Sequence, residues 1–306
     1  MYNCNMNMRQ PLVSINITTY NSSKFIIETL ESAKMQTYQN IELIVSDDSS
    51  VDNTVELCKK WIEKNKERFV RCKVITVEKN TGIAANCNRA MNASNGEWIK
   101  ELAGDDIFLP NCVEDNINYV MAHPEINILF SNMIHFNDTF CRQNIVNDAT
   151  LHKKLNIFFS MGAEGQLKMI INGNFLPAPT LFHKNGFLNS FGGYKENYGY
   201  EDWPMWITLL EKGERLYSFG ATTIAYRHHF ESLSTHKDTL FNIRHINWRM
   251  EIMRDMCFKY YTKKRICFEK IEYRFNLIIL KLNLNHANCI STILYKFVLK
   301  LLAFLK

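Results

Sequence analysis

The chain has 306 residues, 46% of them apolar and 22% charged, with 12 glycines and 6 prolines; this excludes a disordered, collagen-like or low-complexity protein and leaves room for about two domains' worth of core. Nine scattered cysteines, odd in number and without a C-x-x-C pair, argue against a disulfide framework or a zinc site and for a reducing cytosol; the first ten residues show no secretory h-region. The net charge of +5 is unevenly spread: residues 1–235 carry 22 Lys/Arg against 26 Asp/Glu, and residues 236–306 carry 14 against 5, a basic tail suited to an anionic surface.

Leu12–Thr18 is a β-branched run that predicts a buried strand, and Asn21-Ser-Ser supplies cap oxygens before a helix carrying Phe25, Ile26, Leu30 and Ala33. Ile41–Val45 predicts a second strand, which ends in Ser46-Asp47-Asp48-Ser49-Ser50. A second helix follows with Val55, Leu57, Cys58, Trp61 and Ile62. Cys72–Val77 predicts the third strand and Ile83–Met91 the third helix, entered through Asn80-Thr81-Gly82. Trp98–Leu102 predicts the fourth strand, followed by Ala103-Gly104-Asp105-Asp106 and by a helix beginning near Pro110. This β-α rhythm argues for a mainly parallel sheet covered on both faces, with ligands at the carboxyl ends of its strands. The polar clusters Thr18–Asn21, Asp47-Asp48 and Asp105-Asp106 fall at those ends.

The second half is less regular. Asn172–Thr180 reads as a loop, Phe191–Tyr194 as a turn, Trp203–Leu210 as a short helix and Leu216–Phe219 as a short strand. Paired acids after an apolar strand suit a hard cation such as Mg²⁺ or Mn²⁺, though they also serve as caps. Of Asp47 and Asp48, one is expected to cap the next helix and the other to accept hydrogen bonds from a base or ribose. Asp202, at a helix start among Tyr200, Trp203 and Trp206, is either a cap or a general base. Of the adjacent His228 and His229, only one can enter a site if they lie on a strand. No dinucleotide fingerprint, P-loop or serine elbow is present.

Together these stretches carry a resemblance. Pro11-Leu-Val-Ser-Ile-Asn-Ile-Thr-Thr-Tyr-Asn21, Gln36–Ser50, Asn80–Ala90, Leu102-Ala-Gly-Asp-Asp-Ile-Phe-Leu-Pro110, Glu201-Asp202-Trp203 and Tyr226-Arg-His-His-Phe-Glu-Ser-Leu-Ser234 resemble, in order and spacing, the family 2 glycosyltransferases of the GT-A fold, bacterial polysaccharide and O-antigen type. The resemblance covers about residues 10–235. It implies an α/β fold with a mainly parallel twisted sheet flanked by helices: a nucleotide-sugar-binding half over 1–109 and an acceptor-binding half of the same domain over 110–235; the basic helical tail over 236–306 lies outside it. It implies that Thr18, Tyr20, Asp47 and Asp105 bind the donor, that Asp106 and His229 hold Mn²⁺ or Mg²⁺, that Asp202 is the catalytic base, and that Glu201 and Trp203 meet the acceptor. Ala103 stands where many members have an acid.

The expected activity is an inverting, metal-dependent transfer from a nucleotide sugar to a saccharide, lipid-linked acceptor in surface polysaccharide synthesis. A nucleotidyltransferase and a non-catalytic sugar- or nucleotide-binding module are the alternatives. In the tail, Cys289–Lys306 reads as a basic amphipathic helix with Lys296, Lys300 and Lys306 gathered on one side. It points to the anionic inner face of the cell membrane and a cytoplasmic, peripheral location, with packing on the body as the alternative. Nucleic acid is not expected as a partner.

Overall fold

A computed structural model describes residues 10–146, 149–229 and 239–303. In chain order its strands are β1 (Val13–Thr19), β2 (Ile41–Asp47), β3 (Arg71–Thr76), β4 (Trp98–Ala103), β5 (Ile107–Phe108), β6 (Ile128–Asn137), β7 (Ile145–Val146), β8 (Phe182–Lys184) and β9 (Tyr217–His228). The helices are α1 (Ile26–Lys34), α2 (Thr54–Asn65), α3 (Ile83–Ala93), α4 (Cys112–Ala122), α5 (Ala149–Ser160), α6 (Ala163–Ile170), α7 (Asp202–Glu211), α8 (Ile243–Ile252), α9 (Lys263–Lys281) and α10 (Cys289–Ala303).

One sheet runs through the body in the order β3-β2-β1-β4-β8-β6-β9-β5, with β7 paired to β6. The first four strands are parallel, as the β-α rhythm requires. β8 runs antiparallel to both β4 and β6, and β5 antiparallel to β9, so the sheet is mixed beyond β4. β1 and β2 are buried almost throughout, including Ser14 and Asn16, which is why they read as apolar runs without alternation. Lys100 of β4 is wholly buried; its Nζ donates to the carbonyls of Pro179 (2.7 Å) and Leu181 (3.0 Å), tying β4 to the segment before β8.

Two large apolar clusters flank the sheet. One joins β1, β2 and β4 to α1, α2 and α4 through Ile15, Leu30, Leu43, Trp61 and Val113. The other joins α3 to α5, α6, α7 and the start of the tail through Met91, Phe158, Trp206 and Met256. Met253 and Met256 are buried there, so the first tail segment packs on the body.

The first four strands and the third helix stand within two residues of their expected bounds, and α1, with Phe25 as its N-cap, and α2 contain the residues expected of the first two helices. α4 begins at Cys112, just past Pro110. The strand expected at Leu216–Phe219 extends to His228 over twelve residues. Gly220-Ala221-Thr222 hides its continuity, and a register shift against Phe130–Asn132 absorbs the irregularity. α10 matches the expected terminal helix as far as Ala303; Lys306, Ser232 and Ser234 lie outside the described residues. No described helix is long and apolar enough to cross a membrane.

Candidate active site

The strand register builds the site. Thr18 pairs with Ala103 and Thr19 with Asp47, so the carboxyl ends of β1, β2 and β4 lie level. Just beyond β1, Tyr20 is 50% exposed, and Thr18 is half-buried. Asn21 and Ser49 both take left-handed backbone, φ +51° and +69°, a conformation that costs an L residue roughly 1–2 kcal/mol. The turns hold each other there: Asn21 N–H donates to Ser50 Oγ (2.8 Å), and Val51 N–H donates to Asn21 Oδ1 (2.9 Å).

Neither acid after β2 caps α2, contrary to expectation. The N-cap is Asn53, whose side chain makes no cap bond, and Asp52 before it accepts from Thr54 N–H at 3.0 Å. Asp47 is buried and accepts from Ser50 N–H (2.9 Å) and Ser50 Oγ (2.5 Å). Asp48 reaches across to the entry of α3. It accepts from Thr81 N–H (3.0 Å), Thr81 Oγ1 (2.5 Å), Gly82 N–H (2.8 Å) and Arg89 (3.2 Å). Gly82 has φ +90°, which explains the glycine at that helix start.

The turn after β4 presents the two aspartates differently. A Cβ on Gly104 would lie 2.9 Å from Thr19 Oγ1, so the turn passes close against β1. Asp106 points inward, 1% exposed, and its Oδ1 accepts from Arg227 N–H at 2.8 Å. Burial, and then the charge of Asp105, push its carboxyl well above the usual range. The Asp105 side chain stays 29% exposed, with Oδ2 2.9 Å from His229 Nε2. Of the two residues expected to hold a metal, His229 meets Asp105 and Asp106 faces Arg227 N–H. His228 turns the other way, its Nε2 2.9 Å from His135 Nδ1, as strand alternation demands.

Arg227, to which the sequence motif assigns no role, joins these parts. Its Nε donates to the Asp105 carbonyl (2.7 Å), and its guanidinium bonds Glu28 and the Asp138 carbonyl. It lies between the rings of Phe25 and Phe136, 4.7 Å from each centroid. His229 packs on Phe25 at 4.4 Å.

A second acidic group gathers at the start of α7. Asp202 is buried; its Oδ2 accepts from Asn174 Nδ2 (2.5 Å) and its Oδ1 from Trp203 N–H (2.6 Å). Burial raises its pKa, and those two hydrogen bonds oppose the rise. Burial and the Asp202 charge push Glu201 up to about 8. Trp203 is 3% exposed and its indole N–H donates to the Ile170 carbonyl at 2.9 Å, so its ring belongs to the core. The half-buried aromatics beside the pair are Tyr200 and, from α8, Trp248, with ring centroids 5.4 Å apart. The sequence reading missed Glu101 of β4. Its Oε2 accepts from Tyr194 Oη (2.5 Å), and its charge, after burial and Asp202, helps raise Glu201.

Among the described residues no three His, Cys, Asp or Glu side chains are arranged to hold a metal. A protein-only cage therefore does not fit. The Asp105 carboxylate, oriented by His229, does fit a cation of the Mg²⁺ or Mn²⁺ type that takes most of its ligands from substrate phosphates and water.

The family model for glycosyl transferase family 2 matches residues 14–171, just over half of the chain. An uncharacterized glycosyltransferase of Haemophilus influenzae is 31% identical over 49% of this chain and 56% of its own length. WfaP of Escherichia coli, a UDP-Glc:alpha-D-GlcNAc-diphosphoundecaprenol beta-1,3-glucosyltransferase, is 28% identical over 74% of this chain and 81% of its own. Among solved structures, S. aureus TarS 1–349 in complex with UDP-GlcNAc superposes with TM-score 0.55 at 20% identity, covering 75% of this chain and 62% of that one. The mannosyltransferase PcManGT of Pyrobaculum calidifontis, in complex with GDP-Man and Mn²⁺, gives TM-score 0.61 at 16% identity, covering 81% and 66%. These likenesses show the GT-A type of fold expected from the sequence.

Proposed function

The chain belongs to glycosyl transferase family 2, and from that premise we propose that it is an inverting, metal-dependent glycosyltransferase acting on a nucleotide-sugar donor. The observation that carries the reading is the partly exposed Asp105 carboxylate, held by His229 at the carboxyl edge of the sheet. A bound Mn²⁺ or Mg²⁺ supplies Lewis-acid stabilisation of the departing diphosphate. The Asp105 carboxylate would hold it, with His229 orienting that carboxylate through Nε2, where Asp106 and His229 were the expected ligands. Asp106 and Arg227 position the turn. Tyr20 and Thr18 border the space for the base and ribose, with Asp47 bracing the neighbouring turn through Ser50.

In this reading Asp202 takes the proton of the acceptor hydroxyl as that oxygen bonds to the anomeric carbon. The bond from that carbon to the diphosphate breaks on the opposite face, so the configuration inverts. Asn174 and the Trp203 N–H fix the carboxylate and favour its charged form, while a protonated Glu201 keeps a second negative charge away from it. Glu201 and Tyr200 border the acceptor. The acceptor is a saccharide on a lipid diphosphate, in surface polysaccharide synthesis; the support is WfaP, whose own acceptor is named as such.

The test incubates the purified chain with Mn²⁺ and UDP-Glc, UDP-GlcNAc or GDP-Man, with and without acceptor, and measures nucleoside diphosphate release. Acceptor-stimulated release that EDTA abolishes is the expected result. Formation of UTP or GTP and a sugar 1-phosphate when pyrophosphate is added would instead identify a nucleotidyltransferase, and donor binding without turnover a binding module.

A further inference from the structure

The last two helices carry a face that no described part of the chain covers. On α9 the exposed positions recur every three or four residues from Lys263 to Leu282. At 100° per residue they fall in one stripe about 140° wide. The stripe has two edges. Lys263, Lys270, Arg274 and Lys281 run along one side, with Leu277 beside them, and Ile271, Ile278 and the helix-ending Leu282 along the other, which Lys264 shares. α10 repeats the arrangement. Ile293, Leu294, Phe297 and Leu301 are each at least half exposed, and Lys296 and Lys300 flank them on one side.

Packing fixes which way these stripes point. Phe268 and Ile279 of α9 are buried. Tyr295 of α10 donates to Asn276 of α9 at 2.8 Å and its ring stacks on Phe275. The apolar residues left outside are therefore not awaiting a partner from the same two helices. The charge on the face is one-sided. The only acids on α9 and α10 are Glu269, buried and paired with Arg249 at 3.0 Å, and Glu272, half-buried. Seven lysines and arginines of the two helices are exposed and no acid is.

We propose that this face docks on an anionic phospholipid bilayer. The helices lie in the plane of the interface, with Ile278, Phe297 and their apolar neighbours in the headgroup–acyl boundary and the cationic edges on lipid phosphates. An apolar stripe flanked by cations is the pattern of a helix that lies on a membrane, and neither helix is long and apolar enough to span one. A second copy of the chain would set the same cations against each other, so charge favours lipid over self-association. A lipid-linked acceptor, as in the proposed function, gives the docking a use; the docking itself is read from this face, and its test requires no turnover.

The experiment sediments the full chain with vesicles of phosphatidylcholine alone, or with about a third of the lipid replaced by phosphatidylglycerol. The expected result is binding to the anionic vesicles only, weakening as salt rises. Lys270→Ala with Arg274→Ala should weaken binding about fivefold per cation removed, and Phe297→Glu should weaken it further, with donor binding unchanged in both. The cation variants alter only exposed side chains, so they test the proposal even if Phe297→Glu disturbs α10. Failure to sediment, equal binding to both vesicle types, or a dimer that Phe297→Glu dissociates while vesicle binding is unaffected would each overturn it.

Discussion

His229 Nε2 lies 2.9 Å from Asp105 Oδ2, joining the end of β9 to the turn after β4 across 124 positions of chain. The imidazole orients the one carboxylate of the aspartate pair that reaches solvent. In the proposed site this contact sets the cation-binding geometry.

His229→Ala should therefore lower Mn²⁺-dependent affinity for a nucleoside diphosphate about 10–100-fold, the usual effect of losing a group that orients a ligand. Asp105→Asn should abolish the Mn²⁺ dependence. Asp106→Ala should act differently: it strands the buried Arg227 N–H, which costs about 1–3 kcal/mol of stability. Calorimetric titration with and without Mn²⁺, beside thermal melts, separates the three. Equal binding defects with unchanged melts would refute the division of labour.

Asp202→Asn should cut the rate about 10²–10⁴-fold, the contribution of a positioned base, while donor affinity stays near that of the parent. Steady-state kinetics with varied donor and acceptor decide it. A variant that turns over normally but binds donor weakly would move Asp202 to the donor side.

Glu201 gives a pH prediction. Its carboxyl, ordinarily near 4.5, is pushed up to about 8 by burial and then by the Asp202 charge. Between those values the folded chain holds a proton that the unfolded chain has released, so this residue's contribution to stability falls as pH rises. Glu201→Gln retains the protonated shape and should flatten that part of the curve. Melting temperatures of both proteins from about pH 5 to pH 8 should diverge at the alkaline end, the variant being the more stable. Parallel curves would show that Glu201 titrates normally.

Gly199→Ala should destabilise the chain by about 1–3 kcal/mol, the usual cost of overpacking. An added Cβ would stand 1.9 Å from Trp248 Cε2, pushing α8 away from the start of α7. Adding Trp248→Ala should recover part of the loss, a coupling that a double-mutant cycle measures. Additive effects would mean that the ring yields without help.

The parallel half of the sheet was legible because its strands are buried on both faces and its helices repeat at regular spacing. β8 was not: three residues, Phe182–Lys184, become a strand only because β4 and β6 flank them, and no local pattern records that. Gly220 interrupted the reading of β9 for the same reason. At the site, the acids were visible as residue types at strand ends, but their orientations were not. Asp48 holds Thr81 and Gly82, because a loop 33 positions on folds back over it. Glu101 went unnoticed between Lys100 and Leu102 of a buried strand, where its partner Tyr194 is 93 positions distant. Trp203 sat beside two acids in sequence, yet its side chain points into the core.

Arg227 has a bearing on synthesis as well as on structure. The parallel ladder of β1, β2, β3 and β4 is complete once residue 103 has been made. The aspartate turn that follows is already tied to β1 and α1 through the Thr18 carbonyl and Thr29 Oγ1, but its two carboxylates gain their partners only when Arg227 and His229 arrive at the end of β9. A nascent chain leaving the ribosome therefore carries its parallel scaffold well before the carboxylates of the proposed site are fixed, and truncated products ending before β9 are built without those two contacts.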